Sequence, residues 1–561
     1  MGWRVGLVVA AAIAVAIACG SGGGGSPDVL PPDAGTDAGV DAGTDAGVDA
    51  GTDAGMDAGT DGGTDAGPDG GTDAGPDGGV DGGYGTLAWH PGNVVSVTSN
   101  NGWRFVSDGL PGSVMGASAD ENGNLWVAGG SAGVFVQRSG VGRFQQYTIA
   151  DGLHPYGYLP GGAPADSSPS LDATPAISIA GGPGSSAYVG YGGKAGCEDE
   201  WDRLGDNHAG TDPSIYKSGD ADRVVLNGGG INVAHYDIFS GPGIVANEQA
   251  GREKLCSVYR IVWQRGSTVP LGPPGNHGYV WFGANHGFAL GYADYAGSPA
   301  CDGQLGCSGL LEHVHPAIND VHSWLITDLY YGIAIDSLPH TDGKGNTFFD
   351  VWFGGMARTT RFRFGEELGD YYKAEVRTEL YASSSATAAN IANDAPAKAA
   401  FWNRMDIWPD PVGERRDAAH GNWLSQEPDF RNPSHWVMDN VTGIAVTSTG
   451  EAWIGSSTNG LRQVDHDGNL LADATSLLPS KSIGAVAKDP SDDSVWVGYR
   501  DGAGVTRIKP DGTVLHYAKE ALGSLATSGI WDIQVQPATA TSKRRILVAF
   551  RSGTVGIFDA D

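Results

Sequence analysis

Cysteine is scarce in this chain, with five residues among 561, and no Cys-x-x-Cys is present. That weakens zinc-ribbon and dithiol redox readings. P-loop and His-Glu-x-x-His motifs are also missing, so the Walker-type nucleotide and zinc-protease signatures are absent. Basic residues are few, 34 Lys and Arg against 65 Asp and Glu, for a formal net charge of −31. An acidic chain without a basic stripe repels phosphate backbones, which argues against nucleic acid as a partner.

Three zones of different composition are present. Residues 1–18 read as an export signal, with Arg4 followed by an apolar run from Val5 to Ala18. Fourteen apolar residues are short for a membrane span but suit a signal-peptide core. Residues 19–83 are a Gly/Ser stretch followed by an Asp-Ala-Gly-Thr tract, in which thirteen aspartates recur every four residues from Asp33 to Asp81. Without hydrophobic period or aromatics, this tract is expected to stay disordered and act as a self-repelling spacer. Residues 84–561 mix aromatics, β-branched residues and turn residues as an all-β domain does.

That last zone repeats one phrase, an apolar strand closed by a small residue. The copies are Leu125–Gly129, Ala187–Gly190, Val280–Gly283, Val351–Gly354, Ala452–Gly455, Val495–Gly498 and Ile546–Ala549. Each unit is too small to bury its own faces, so the copies must stack. The pattern predicts an all-β, seven-bladed β-propeller. It also predicts the closure, because the blade ending at Phe558 lacks an outer strand while Gly102–Val106 is an outer strand with no inner strands before it. The N-terminal strand should therefore complete the last blade. Extra length near 194–250, 289–328 and 361–435 must be loops or added strands. Within the last, alanine-rich Ala386 to Met405 suits a short helix.

Several segments resemble known families. Ala16-Ile17-Ala18-Cys19 is similar to the bacterial lipobox, with Ala16 where that pattern prefers Leu. The resemblance implies lipidation of Cys19 and anchoring in the cell envelope, in the outer membrane, after removal of residues 1–18. The alternative is an ordinary secretory signal cut nearby. The aspartate tract looks like those of myxobacterial envelope lipoproteins. Asp108-Gly109-Leu110-Pro111, Leu125-Trp126-Val127, Gly133–Val136 and Gly142–Thr148, with a second Asp-Gly-Leu at Asp151, resemble the two-component-regulator propeller repeat. Gly450–Gly455 with Gly460-Leu461-Arg462, and Ser494–Gly498 with Gly504–Arg507, match it too. In that family such propellers are extracytoplasmic sensing modules. No kinase or membrane-spanning run is seen after the repeats here, so direct signalling by this chain is not expected.

Candidate chemistry is thin. In an exported chain, Cys197, Cys256, Cys301 and Cys307 suggest two disulfides. Three pairings are open, and the short 301–307 interval favours a local staple that leaves Cys197 with Cys256. Glu312-His313-Val314-His315, with Asp320 and His322, is the densest set of metal-ligand types. His313 and His315 would share one face of an extended segment, as two ligands would. The competing reading is surface loop histidines. His277 and His286 suit turns. Arg358, Arg361 and Arg363 form a basic spot suited either to a carboxylate ligand or to neighbouring acids. Ser118–Trp126 resembles a sialidase Asp-box with one residue too many, a turn device rather than evidence for glycosidase chemistry. The repeated Trp126, Trp281, Trp352, Trp453 and Trp496 are expected between blades rather than as a sugar-stacking platform.

The reading that results is a monomeric envelope lipoprotein whose WD40-like propeller binds a glycan, peptide or envelope protein without chemistry or cofactor. The alternative is a metal-dependent propeller lyase or hydrolase resembling virginiamycin B lyase.

Overall fold

The computed structural model describes residues 87–100, 102–158, 163–194, 214, 218–236, 257–265, 278–284, 287–297, 310–314, 331–336, 340–341, 347–355, 358–365, 402–405, 441–465, 470–538 and 543–559. These residues form seven sheets. In each, a repeated apolar phrase forms the strand beside the innermost one. The innermost strands, in chain order, are Gly116–Ala119, Ala176–Gly181, Val258–Arg265, Gly332–Ile335, Val441–Val446, Ile483–Lys488 and Ile530–Gln536. Each packs against the next, and the last packs against the first. The arrangement is a β-propeller, with these strands around its axis.

In four of the copies the glycine that ends the phrase has a steric cause. A Cβ on Gly190 would lie 2.8 Å from Val258 Cγ1, and one on Gly354 2.2 Å from Val441 Cγ1. Gly455 and Gly498 meet Val486 and Ile530 in the same way. The phrase therefore ends where the next sheet's inner strand presses closest. Two positions before each such glycine or alanine sits the large residue that fills the space between sheets. Trp126, Trp281, Trp352, Trp453 and Trp496 are all at most 2% exposed. They are core, as expected, and offer no stacking platform to a sugar.

Closure uses Trp103–Val106, which pairs antiparallel with Thr554–Asp559 in the register Trp103↔Phe558 to Val106↔Val555. A feature the sequence did not announce lies just before it. Val94–Val97 adds a parallel fifth strand beside Val514–Tyr517 of the sixth sheet. Further upstream, the Trp89 backbone N–H donates to Gln463 Oε1 (2.8 Å) and its indole N–H to the Lys509 carbonyl (2.9 Å). The N-terminal segment thus straps the fifth, sixth and seventh sheets together.

The three long stretches prove to contain outer strands. Ala221–Asn227 and Gly230–Tyr236 fall inside 194–250, Leu310–Val314 inside 289–328, and Trp402–Met405 inside 361–435. Trp402–Met405 corrects the helical expectation for its part of Ala386 to Met405, because it pairs with the strand Arg358–Gly365. Aromatic and unbranched residues there take ladder hydrogen bonds, and context overrides local helix propensity. Residues 386–401 lie outside the described residues.

Candidate functional site: the central channel

Registers place seven equivalent residues at one level of the channel, each opposite the small residue two positions after the large buried residue of its phrase. Five are small: Gly116, Ser178, Gly332, Gly443 and Ala485. The other two are Arg260 and Asp532. Their strands are not neighbours in the ring, yet the Arg260 guanidinium donates to the Asp532 carboxylate. Gly116 leaves the Asp532 carboxylate its room, since a Cβ there would lie 3.3 Å from Asp532 Oδ2. Arg260 Nε also donates to the Tyr331 carbonyl (3.0 Å). Gln534 Nε2 donates to Asp532 Oδ2 (2.9 Å) and to the Ile179 carbonyl (2.7 Å). A charged pair this well bonded spans part of the channel as a fixed strut.

Beyond the strut lies a cavity of about 420 Å³ lined by residues from all seven inner strands. Its walls include Ile261, Ile335, Val446 and Val535, with Trp263, Arg265 and Lys488 near the hairpin end. The turns that follow four of the inner strands begin with Pro183, Ser448, Pro490 and Pro537.

Two of the inner hairpins close on a polar device that holds a core tryptophan. Asp120 Oδ2 accepts from the Trp126 indole N–H and from Asn124 Nδ2, both at 2.7 Å, and Oδ1 accepts the Asn124 backbone N–H at 2.9 Å. Burial pushes the Asp120 carboxyl up to about 6 despite these bonds, which pull the other way. Gln264 does the same for the Trp281 indole (2.8 Å) in the third sheet. The Asp-box-like segment is therefore a turn that also anchors a core tryptophan.

A polar cluster in the second sheet was invisible to motif reading. His235 lies directly across the hairpin from Asp222, with Nδ1 2.9 Å from Asp222 Oδ1, and its Nε2 is 3.7 Å from Asp220. Asp222 Oδ2 accepts the Tyr191 hydroxyl (2.6 Å) and the His154 backbone N–H (2.7 Å). The rings of His154 and Tyr156 lie 3.7 Å apart. Burial alone would lower the His235 pKa, but Asp220 and Asp222 outweigh it and hold the imidazolium up to about 9. The His235 side chain is 1% exposed, so this triad holds two strands together beyond the reach of a substrate. The available signal was the close pair Asp220 and Asp222, at the start of the strand Ala221–Asn227.

Of the metal candidates, His313 is on the outer strand Leu310–Val314, opposite Ala289, and not in a surface loop. His315, His322, His277 and His286 lie outside the described residues, as do Cys19, Cys197, Cys256, Cys301 and Cys307. Among the described residues no group of three or more His, Cys, Asp or Glu is placed to hold a metal. Arg358, Arg361 and Arg363 share the strand Arg358–Gly365, where Arg363 is opposite Asp350. Among the described residues no helix is long and apolar enough to cross a membrane.

No protein-family model and no curated protein matches the sequence. Solved structures of the WD40 and propeller type do match in shape. Sqt1 of Saccharomyces cerevisiae is 9% identical with a TM-score of 0.42, covering 82% of this chain and 98% of that one. YCF48 of Cyanidioschyzon merolae is 12% identical with a TM-score of 0.37, covering 81% and 98%. YCF48 bound to D1 peptide is 9% identical with a TM-score of 0.37, covering 82% and 98%. These likenesses concern the fold alone.

Proposed function

We propose that this chain is an exported lipoprotein, anchored through Cys19 in the outer membrane. Residues 1–18 are its signal, 19–83 a spacer, and 84–561 a seven-bladed propeller that binds without chemistry. The closed cycle of inner strands supports the blade count, and the lipobox-like Ala16–Cys19 followed by Gly and Ser supports the anchor. The observation that carries the binding role is the channel. Its charged residues Arg260 and Asp532 are tied to each other and to the backbone, while an apolar cavity stands open beside them. Groups held this way shape a pocket better than they exchange protons with a substrate. The partner class is a glycan, peptide or envelope protein.

Two measurements test the reading. Cys19→Ser should abolish acyl labelling and release the protein from the membrane fraction, and labelled, membrane-bound mutant would overturn the anchor. A binding screen of the full chain against glycans and envelope extract should recover a partner that leaves unmodified. Turnover of a recovered ligand would overturn the non-catalytic role.

A further inference from the structure

The channel cavity has a chemistry of its own, and its ligand class can be read from the walls and the mouth. Its volume, about 420 Å³, falls in the range of small-molecule sites. At the Arg260–Asp532 level the opposite wall is made of Gly332 and Gly443, which have no side chains to fill the axis. Above them the lining is mostly aliphatic, with Ala334 and Ala487 leaving room between Ile335, Val446 and Val535. Such a wall favours an apolar body and offers little to a sugar hydroxyl.

The mouth is different. Pro490 and Pro537 line it and have no N–H to donate. Among the described residues, the cations there are Arg265 and Lys488, from the third and sixth inner strands. Arg265 is 53% exposed, and its acid partner Glu121 is 3.9 Å away. Glu121 faces Arg265 through Oε1, while its Oε2 accepts the Gly184 N–H at 3.0 Å, which holds the carboxylate at that distance. The Arg265 guanidinium lies over the Trp263 ring, 4.6 Å from its centroid, which fixes its direction. Lys488 is paired with Asp493 at 3.1 Å, so its charge is balanced locally and Arg265 is the cation a ligand would meet. A negative group at the mouth would gain a charge-assisted bond from Arg265 in place of a loose pair.

We propose that this well binds a small monocarboxylate with an unbranched apolar body, the body lying along the channel and the carboxylate meeting Arg265. The site rests on the non-catalytic binding reading of the channel above and adds a small-molecule ligand to the partners named there.

Decanoate is the probe, titrated calorimetrically into the purified full chain, with decyltrimethylammonium and butyrate as comparisons. Decanoate should bind saturably at one site. It should bind at least tenfold more tightly than butyrate, which lacks the apolar body, and than the cation. Ala334→Phe and Ala487→Phe, each filling the well from a different strand, should weaken decanoate at least tenfold while melting like the parent. Arg265→Glu should invert the preference toward the cation. If a filled variant folds poorly, the fluorescence change on adding decanoate decides instead, and Trp263→Phe should remove it. Absence of saturable binding, or binding unchanged in both filled variants and in Arg265→Glu, overturns the site and leaves the envelope-binding role standing. Saturable binding with chemical conversion of decanoate would uphold the site and overturn the non-catalytic role.

Discussion

Trp103 meets Trp496 edge to face, with ring centroids 6.4 Å apart at 84°, although nearly four hundred residues separate them. Trp103 also touches Tyr517 and Phe558, so one side chain from the N-terminal strand closes the seam between the sixth and seventh sheets. Trp103→Ala should cost about 3–5 kcal/mol, the range for truncating a buried tryptophan. Deleting residues 84–107 should cost more and promote aggregation through the freed edge of Thr554–Asp559. Denaturant melts and light scattering check both, and a truncated protein that melts like the parent would disprove the closure. Cysteines placed at facing positions of 103–106 and 555–558 should cross-link within a monomer.

Glycines should tolerate a side chain only where there is space for one, and those ending the repeated phrase have little. Gly498→Val drives a Cβ to within 2.5 Å of Ile530 Cγ2 and should cost at least about 1–3 kcal/mol. Gly112→Ala, where a Cβ meets nothing within 4 Å, should leave the melting temperature unchanged. Equal effects at the two sites would contradict the packing account.

Stability should fall on the alkaline side because of His235. Its folded pKa, about 9, lies above its ordinary 6.5, so the folded state holds the proton more tightly than the unfolded chain. The contribution is complete below pH 6.5 and is lost as pH rises through about 9, on the order of 3 kcal/mol in all. His235→Gln should flatten the stability profile between pH 6.5 and 9 and leave its shape elsewhere unchanged. A profile equally steep in the mutant would refute the assignment.

Asp120 works in the same direction at lower pH. Its carboxyl titrates near 6 when folded, against 3.8 ordinarily, because burial disfavours the anion. Its contribution is therefore full below pH 3.8 and lost as pH rises through about 6. Asp120→Asn should remove that component while weakening the bonds to Asn124 and Trp126. The midpoint of the mutant should be lower overall, yet vary less than the parent's between pH 4 and 6.

Removing residues 28–83 should hardly move the thermal midpoint of the propeller, since the tract has no aromatic and no hydrophobic period with which to dock. A drop beyond about 5 °C, the scale of 1–2 kcal/mol in a smaller domain, would show that it packs on the fold.

The sequence by itself determined the repeat, and with it the propeller and the burial of Trp126, Trp281, Trp352, Trp453 and Trp496. A strand alternates faces with a fixed period, so an apolar phrase ending in a small residue reports one local environment copied seven times. The seam at Trp103–Val106 was legible for a related reason, because an unpaired strand at each end of a ring leaves one solution. Three features were decided only by tertiary structure. Val94–Val97 pairs in parallel with Val514–Tyr517, a contact between chain ends that carries no local pattern. His235 becomes a buried cation because folding sets Asp220 and Asp222 against it. Arg260 reaches Asp532 across strands that are not neighbours, a pairing that only the closed ring creates. Periodicity encodes which face of a strand is buried. It does not encode what stands opposite once the ring closes, and in a propeller the channel is made of those opposing faces.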